Sequence, residues 1–126
     1  MAKKKITIHY KKKKIDMIAK DCNVLQKFVG LMFSRRKKSE ILLFSFRKKQ
    51  KIRIHSWCVF YPFVAFWIDD KNRALELKIV KPFRTLISPK KDAYGLIEIP
   101  MNHKNKKILK NVIEKQKNIS ITISNS

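Results

Sequence analysis

Glycine and long apolar runs are both scarce in this chain. Only two of its 126 residues are glycine, Gly30 and Gly95. Phosphate-binding loops and dinucleotide-binding turns need several closely spaced glycines, so neither is expected. The longest apolar run is shorter than the roughly 20 residues of a membrane-spanning helix. The basic start MAKKKITIHYKKKK leads into no apolar stretch, unlike a secretory signal, so we expect a cytoplasmic protein without a transmembrane segment.

Cysteine is rare as well. Cys22 and Cys58 lack the paired spacing of a zinc site, and a disulfide between them is not expected in a reduced compartment. Cys58 stands beside Trp57 and Val59, which is typical of a small buried side chain. His55 precedes Cys58 by three residues, so on a straight strand the two face opposite sides. We predict no metal site and no thiol nucleophile.

Acidic residues are the third shortage, nine against 31 basic ones. Paired carboxylates for acid–base catalysis would have to come from this small set. The adjacent pair Asp69-Asp70 fits a hairpin turn, where neighbouring side chains point in different directions. We therefore expect a protein that is not an enzyme, with no catalytic residues and no cofactor.

Positive charge is what the chain has in excess, a net +22. It is uneven: residues 1–53 hold 18 basic and 3 acidic side chains, residues 54–100 hold 7 and 5, and residues 101–126 hold 6 and 1. A nearly neutral segment is thus flanked by basic ends. Unmatched charge of this size attracts polyanions such as RNA, DNA or anionic lipid surfaces.

The nearly neutral segment contains an apolar and aromatic block. Trp57 to Ile68 carry no charge, and Asp69-Asp70 close the block. This pattern predicts two buried strands that meet at or near Pro62. With strands elsewhere along the chain, it predicts a mainly β single domain over residues 1–126, sandwich-like or barrel-like, with one or two short α-helices. Residues 1–4 and 124–126 are expected to be frayed ends.

Local patterns place the other elements. Alternating apolar residues and flanking turn residues predict further strands at Lys5–His9, Ile15–Ala19, Ile41–Phe46, Ala74–Val80, Gly95–Ile99 and Ile119–Ile123. Helices are predicted from Asp21 to Phe28 or Val29 and from His103 to Gln116. Loops or turns are predicted at Tyr10–Lys14, Arg35–Ser39, Arg47–Lys51 and Asp70–Arg73. In the Ala74–Val80 strand, Leu75, Leu77 and Ile79 should face the core.

Several of these blocks occur in the order of a known family. They are VGLMF (Val29–Phe33), LLFSF (Leu42–Phe46), IHSWCVFYPFVAFWIDD (Ile54–Asp70), LKIVKPF (Leu77–Phe83) and AYGLIEIP (Ala93–Pro100). From about Ile6 to Ile123 the chain resembles the family called domain of unknown function 192, most of all its archaeal branch. The resemblance implies a compact β-sandwich-like or barrel-like domain and no established activity.

Two positions depart from that family. Its members commonly carry an acidic residue near Val64 and a Gly-Asp pair where this chain has Lys117-Asn118. Asparagine tolerates left-handed backbone geometry, so the second turn can survive. The acidic character at both places is gone, which favours positive charge over carboxylate chemistry.

The basic loops are the first candidate site. They could converge on one end of the domain and follow a phosphate backbone, and the excess of lysine over arginine suits contact without sequence preference. The predicted polyanion-binding residues are Lys11, Lys12, Lys13, Lys14, Arg35, Arg36, Lys37, Lys38, Lys48, Lys49, Lys107 and Lys110.

The aromatic block offers an alternative of another class. A small-ligand or carbohydrate-binding cleft could be lined by Trp57 and Tyr61, with His55 and Arg84 as polar partners. Phe60 and Trp67 are further candidates for its walls. Exposure of two or more of these rings in a concave site would favour such a cleft.

Overall fold

The computed structural model describes residues 3–10, 13–22, 31–32, 34–114 and 119–125. Within these residues the chain forms seven strands, one α-helix and two short 3-10 turns. The strands are β1 (Lys3–Tyr10), β2 (Lys13–Asp21), β3 (Ile41–Gln50), β4 (Phe63–Ile68), β5 (Ala74–Val80), β6 (Ala93–Pro100) and β7 (Ser120–Asn125). The helix α1 spans Lys106–Glu114, and the 3-10 turns span Arg36–Lys38 and His103–Asn105. No helix of the described residues is long and apolar enough to cross a membrane.

All seven strands belong to one curled sheet in the order β5-β4-β6-β3-β2-β1-β7. Neighbours are antiparallel except β2 and β3, which run parallel and pair only where Ala19–Asp21 meet Ile41–Leu43. The two edges approach each other: Ile121 N donates to Asn72 O at 2.9 Å and Ala74 N to Ile119 O at 3.3 Å. These bonds bring the sheet close to a closed barrel. The predicted mainly β fold is confirmed, and of the two predicted architectures, sandwich-like and barrel-like, the single seven-stranded sheet corresponds to the second.

The inner face of the barrel forms the first hydrophobic core. Six of the described strands contribute residues at alternate positions, as the two-residue period of a strand requires, whereas β5 contributes the partly buried Ala74 and Leu77. From α1, Leu109 and Val112 pack into the same core. The predicted C-terminal helix is therefore present with its apolar stripe buried, while the helix predicted from Asp21 to Phe28 or Val29 lies outside the described residues.

A second core lies on the outer face of β3, β6 and β4. It is covered by two irregular segments, residues 51–61 and 81–92, which an isolated bridge between Ile54 and Ile87 joins. All six residues of β4 are buried, because they alternate between the two cores. Trp67 is fully buried there, and its Nε1 donates to Ile52 O at 2.9 Å.

The prediction of two strands meeting near Pro62 is half wrong. Phe63–Ile68 form β4, but the residues before Pro62 are irregular. Cys58 adopts a left-handed backbone with φ of 60° in a turn, and it is half-buried, not the fully buried residue expected. Because the chain turns here, Trp57 and Phe60 point to solvent instead of into a sheet.

Several predicted boundaries also need correction. Arg47–Gln50 continue β3 and do not form a turn, and Lys13–Lys14 belong to β2 and not to a loop. β1 begins at Lys3 and β7 ends at Asn125, so paired strand reaches into both ends that were expected to be frayed. In β5, Leu77 packs against the inner core but Ile79 is 52% exposed.

The predicted hairpin turn between β4 and β5 is confirmed, and Asp69 organises it. Its carboxylate accepts hydrogen bonds from the backbone N–H groups of Lys71 and Arg73, at 2.9 and 2.8 Å, and from Arg73 Nε at 3.0 Å. Partial burial acts to raise the pKa of Asp69, but these bonds outweigh it and hold the pKa below its ordinary value. Asp69 is a structural turn residue.

Candidate nucleic-acid interface

The exposed turn Arg35–Lys38 comes directly before β3 and is fastened to the end of β6. Arg36 Nε donates to Met101 O at 2.8 Å, and buried Asn102 donates from Nδ2 to Arg36 O at 2.8 Å and to Ser39 O at 3.2 Å. These bonds arise because the start of β3 pairs with the end of β6. The turn therefore presents its cations from a fixed backbone.

The start of α1 lies next to this turn. Lys104 Nζ donates to Lys38 O at 3.4 Å, which joins the two segments directly. Further along the helix, Lys107 and Lys110 are exposed and three residues apart, so they share a helix face. We call this set of exposed cations the basic corner: the turn residues Arg35, Arg36, Lys37 and Lys38, the adjoining Lys104, and Lys107 and Lys110 further along the helix.

The β1–β2 hairpin points to the same end of the barrel. Because β2 and β3 are parallel neighbours, their first residues lie at the same end. β2 starts six residues ahead of its pairing with Ile41, so it projects past the start of β3, and Lys14 is exposed on it. Lys11, Lys12 and the side chain of Lys13 lie outside the described residues.

Lys48 and Lys49 do not join the basic corner. They lie in the second half of β3, within the irregular stretch between Ser45 and Gln50, and thus towards the end of the strand opposite to its start at Ile41. At that opposite end, Lys49 borders a surface depression of about 520 Å³. Three carboxylates share the depression with five cations; its charged residues are Lys49, Lys51, Asp69, Asp70, Arg73, Lys90, Lys91 and Asp92.

The cations of the basic corner form no ion pair among the described residues. The ion pairs there are Lys3–Glu40, Lys5–Asp16, Arg73–Asp69 and Lys78–Glu76. A carboxylate does lie near the basic corner, that of Glu40, which lines a depression together with Lys104 and pairs with Lys3.

Tyr61 connects the basic corner to the outer core. Its hydroxyl donates to Ser39 Oγ at 2.6 Å and also shares a hydrogen bond with Ser34 Oγ, and these two serines flank the basic turn. Ser39 Oγ donates in turn to Arg35 O at 2.5 Å. Tyr61 is only 2% exposed, so it is an anchor for the turn and not a wall of a ligand cleft.

Three exposed rings lie next to this anchor. Trp57, Phe60 and Phe83 are 53%, 62% and 49% exposed, and we call them the aromatic patch. Phe60 and Phe83 meet edge to face with centroids 5.2 Å apart, and Trp57 and Phe83 do so at 6.4 Å. The sequence blocks did not single out Phe83, which joins through a left-handed backbone with φ of 59°.

The four predicted cleft residues do not line one site. Tyr61 is buried, whereas Trp57 and Arg84 are exposed. His55 is half-buried, and its Nδ1 accepts a hydrogen bond from the Trp57 backbone N–H at 3.1 Å, as expected of a structural histidine. Of the predicted cleft residues, Trp57 instead belongs to the aromatic patch, where its ring contacts Phe83 and Phe83 contacts Phe60.

The sequence reasoning did not single out Glu98 and did not predict the burial of Cys22. Burial raises the pKa of Glu98 to about 8, and burial together with nearby Glu98 raises the pKa of the Cys22 thiol to about 11. A thiol with so high a pKa is a poor nucleophile at neutral pH. Among the described residues no group of three His, Cys, Asp or Glu side chains could hold a metal ion.

Comparison with known proteins shows the fold. No protein-family model matches the chain, and no curated protein matches it. A crystal structure from Sinorhizobium meliloti 1021, described as a "putative transcription regulator", superposes with a TM-score of 0.80 over 97% of this chain and 94% of its own, at 16% identity. A protein of unknown function from Novosphingobium aromaticivorans DSM 12444 superposes with a TM-score of 0.73 over 94% of this chain and 83% of its own, at 11% identity. The chain thus has a fold that is found in solved bacterial proteins.

Proposed function

We propose that this protein is a non-enzymatic nucleic-acid-binding protein that holds the phosphate backbone through the basic corner, weakly and without sequence preference. The observation that carries this proposal is that the Arg35–Lys38 turn and the residues before α1 are joined by hydrogen bonds, and that their cations form no ion pair among the described residues. Release of counterions from the phosphates would supply the binding free energy.

The chemistry of the cations supports the absence of sequence preference. The chain has 25 lysines and six arginines. Lysine is a point charge on a flexible stem, whereas reading base edges favours the rigid two-pronged guanidinium. The weak reactivity expected of Cys22 and the structural role of Asp69 support a non-enzymatic protein.

The structural neighbours add one argument. The Sinorhizobium meliloti protein is described as a "putative transcription regulator", and regulation of transcription involves nucleic acid. At 16% identity this likeness shows a shared fold, and the function has to be tested by experiment. Membership of the family called domain of unknown function 192 also stays a prediction.

Fluorescence anisotropy with labelled single-stranded RNA and duplex DNA, each over a salt series, tests the proposal. The first variant combines Arg35→Gln, Lys37→Gln, Lys107→Gln and Lys110→Gln, whose side chains make no intramolecular hydrogen bond among the described contacts. The matched control combines Lys48→Gln, Lys49→Gln, Lys90→Gln and Lys91→Gln at the opposite end. Both variants lose four positive charges.

We expect the basic-corner variant to bind at least tenfold more weakly than the control. The slope of log affinity against log salt should fall by up to about 3 for single strands, since each phosphate contact contributes about 0.7. Equal losses in the two variants would mean that the binding follows net charge alone, and the basic corner would then be no site.

A further inference from the structure

We propose that the aromatic patch stacks the bases of a single strand whose phosphates lie on the basic corner, so that the protein prefers single-stranded nucleic acid to duplex. This inference rests on the proposed function and specifies its substrate. Single-strand binders combine a positive surface for the backbone with exposed rings for the bases.

The rings of the patch are available for stacking. About half of the surface of Trp57, Phe60 and Phe83 is open to solvent. The ring pairs meet at 82° and 90°, so neither pair is stacked face to face. Ring faces are therefore left for a planar base. The faces of duplex bases are covered by their neighbours, whereas a single strand can turn its bases onto such rings.

The two segments that carry the rings are held together by Ser56, which is fully buried. Its hydroxyl donates to Lys81 O at 2.6 Å and accepts from the Arg84 N–H at 2.7 Å. Its carbonyl accepts from the Phe83 N–H at 3.0 Å. With the backbone fixed in this way, the rings lose little conformational freedom when a base binds.

The aromatic patch lies close to the basic corner. Phe60 is the neighbour of Tyr61, whose hydroxyl lies between the two serines that flank the basic turn. The side chains of Tyr61 and Ser39 and the hydrogen bond between them span this gap, so the Cα atoms of Phe60 and Ser39 lie within about 15 Å. Met101 N also donates to Pro62 O at 3.1 Å. This bond joins residues 51–62, which we call the aromatic segment, to the residues before α1.

Charge beside the rings favours a polyanion as the occupant. Lys81 and Arg84 are exposed and lie within two residues of Phe83 in the chain. The segments 51–61 and 81–92 together contain one acidic residue, Asp92. A strand that stacks its bases on the rings would thus meet Lys81 and Arg84 in addition to the cations of the basic corner.

The experiment uses the full chain and 12-nucleotide single-stranded DNA, with the matching 12-base-pair duplex. The test variant combines Trp57→Leu and Phe60→Leu, which keeps the surface apolar and removes two ring faces. The control is Ile18→Ala, an equally exposed apolar side chain on β2. Circular dichroism checks that each variant is folded.

We expect the double variant to lose at least tenfold in single-strand affinity and less than twofold in duplex affinity, with the control unchanged. Trp57 gives a second readout, because Trp67 is fully buried and should keep a constant fluorescence. Adding the single strand should quench Trp57, and Trp57→Phe should abolish that quenching.

The two proposals can fail separately. If neutralising the basic corner weakens binding while the double variant binds both nucleic acids as tightly as the wild type, base stacking is overturned and the phosphate site stands. If no nucleic acid binds at about 150 mM salt, both proposals fall. Loss of binding to phosphatidylserine vesicles, or of a dimer seen by light scattering, with intact single-strand binding, would assign the rings to a membrane or to a second copy and overturn base stacking.

Discussion

The barrel has two walls of different construction. In the layered wall, made of β3, β6 and β4, side chains are buried on both faces, since segments 51–61 and 81–92 cover the outside. In the bare wall, made of β2, β1 and β7, the described residues form a hydrophobic core on the inner face only. Along β1, for example, Ile6 and Ile8 are buried whereas Lys5 is exposed.

On the outer face of the bare wall, polar side chains of neighbouring strands form hydrogen bonds with one another. Thr7 Oγ1 donates to Asp16 Oδ1 at 2.8 Å, and His9 Nε2 shares a hydrogen bond with Thr122 Oγ1 at 2.9 Å. The layered wall instead carries the aromatic patch and the Tyr61 anchor on its added segments. The barrel is thus the scaffold, and the added layer with the adjoining turn supplies the proposed binding surface.

Removing the centre of the layered wall should give the largest effect. Trp67→Ala empties a fully buried site in β4 and deletes the hydrogen bond that holds Ile52. We expect the free energy of unfolding to fall by about 3–5 kcal/mol, measured by urea denaturation. A similar loss from Ile18→Ala, on the exposed face of the bare wall, would contradict the comparison, because that change should cost less than about 0.5 kcal/mol.

Glu98 makes the layered wall sensitive to pH. In the folded protein its pKa is raised to about 8 by burial, above its ordinary value of 4.5. Between these two pH values the folded state therefore holds one proton more than the unfolded state, and the free energy of unfolding falls as the pH rises. Glu98→Gln removes this dependence.

Urea denaturation of wild type and Glu98→Gln at about pH 4.5, 6 and 8 checks this sign. We expect the free energy of unfolding of the variant to rise relative to that of the wild type as the pH rises, by on the order of a few kcal/mol at the upper end. Other titrating groups cancel in the difference between the two proteins. A constant difference across the range would mean that Glu98 is ionised in the folded protein.

Gly95 tests how closely the layered wall is packed. A Cβ at this position would lie 2.9 Å from two side-chain atoms of Ile68 and 3.3 Å from Phe44 O. Gly95→Ala should therefore destabilise the protein by about 1–3 kcal/mol, measured by thermal or urea unfolding. An unchanged midpoint would show that Ile68 can move away without cost.

The strands were predictable from the sequence wherever buried and exposed residues alternate along them. β7 and the inner face of β1 follow strict alternation, and both were found. The period fails in the layered wall, because β4 is buried on both faces and reads as a continuous apolar run. The same apolar run also includes the residues from Trp57 to Tyr61, which precede β4. This irregular covering segment was therefore mistaken for a strand.

The candidate site was predictable in part. The Arg35–Lys38 turn and the α1 lysines stood out by charge, but their meeting depends on the pairing of β3 with β6, which is a contact across more than 50 residues. The separation of Lys48 and Lys49 follows from the length of β3. Phe83 gave no local signal, since its place beside Phe60 depends on the hydrogen bonds of Ser56 and on a left-handed backbone.

Tyr61→Phe should have the smallest effect and tests how the layered wall supports the basic corner. The ring stays in the outer core, and Ser39 Oγ keeps its hydrogen bond to Arg35 O, so we expect a loss of only about 1 kcal/mol in unfolding free energy. Without the hydroxyl, however, the turn Arg35–Lys38 loses its link to the aromatic segment. Single-strand affinity, measured by anisotropy, should then fall a few-fold, whereas duplex affinity, which needs no alignment between rings and cations, should hardly change. Equal losses for both nucleic acids would show that Tyr61 positions the cations alone, and no loss for either would show that the turn is held by Asn102 and Arg36 without help from the layered wall.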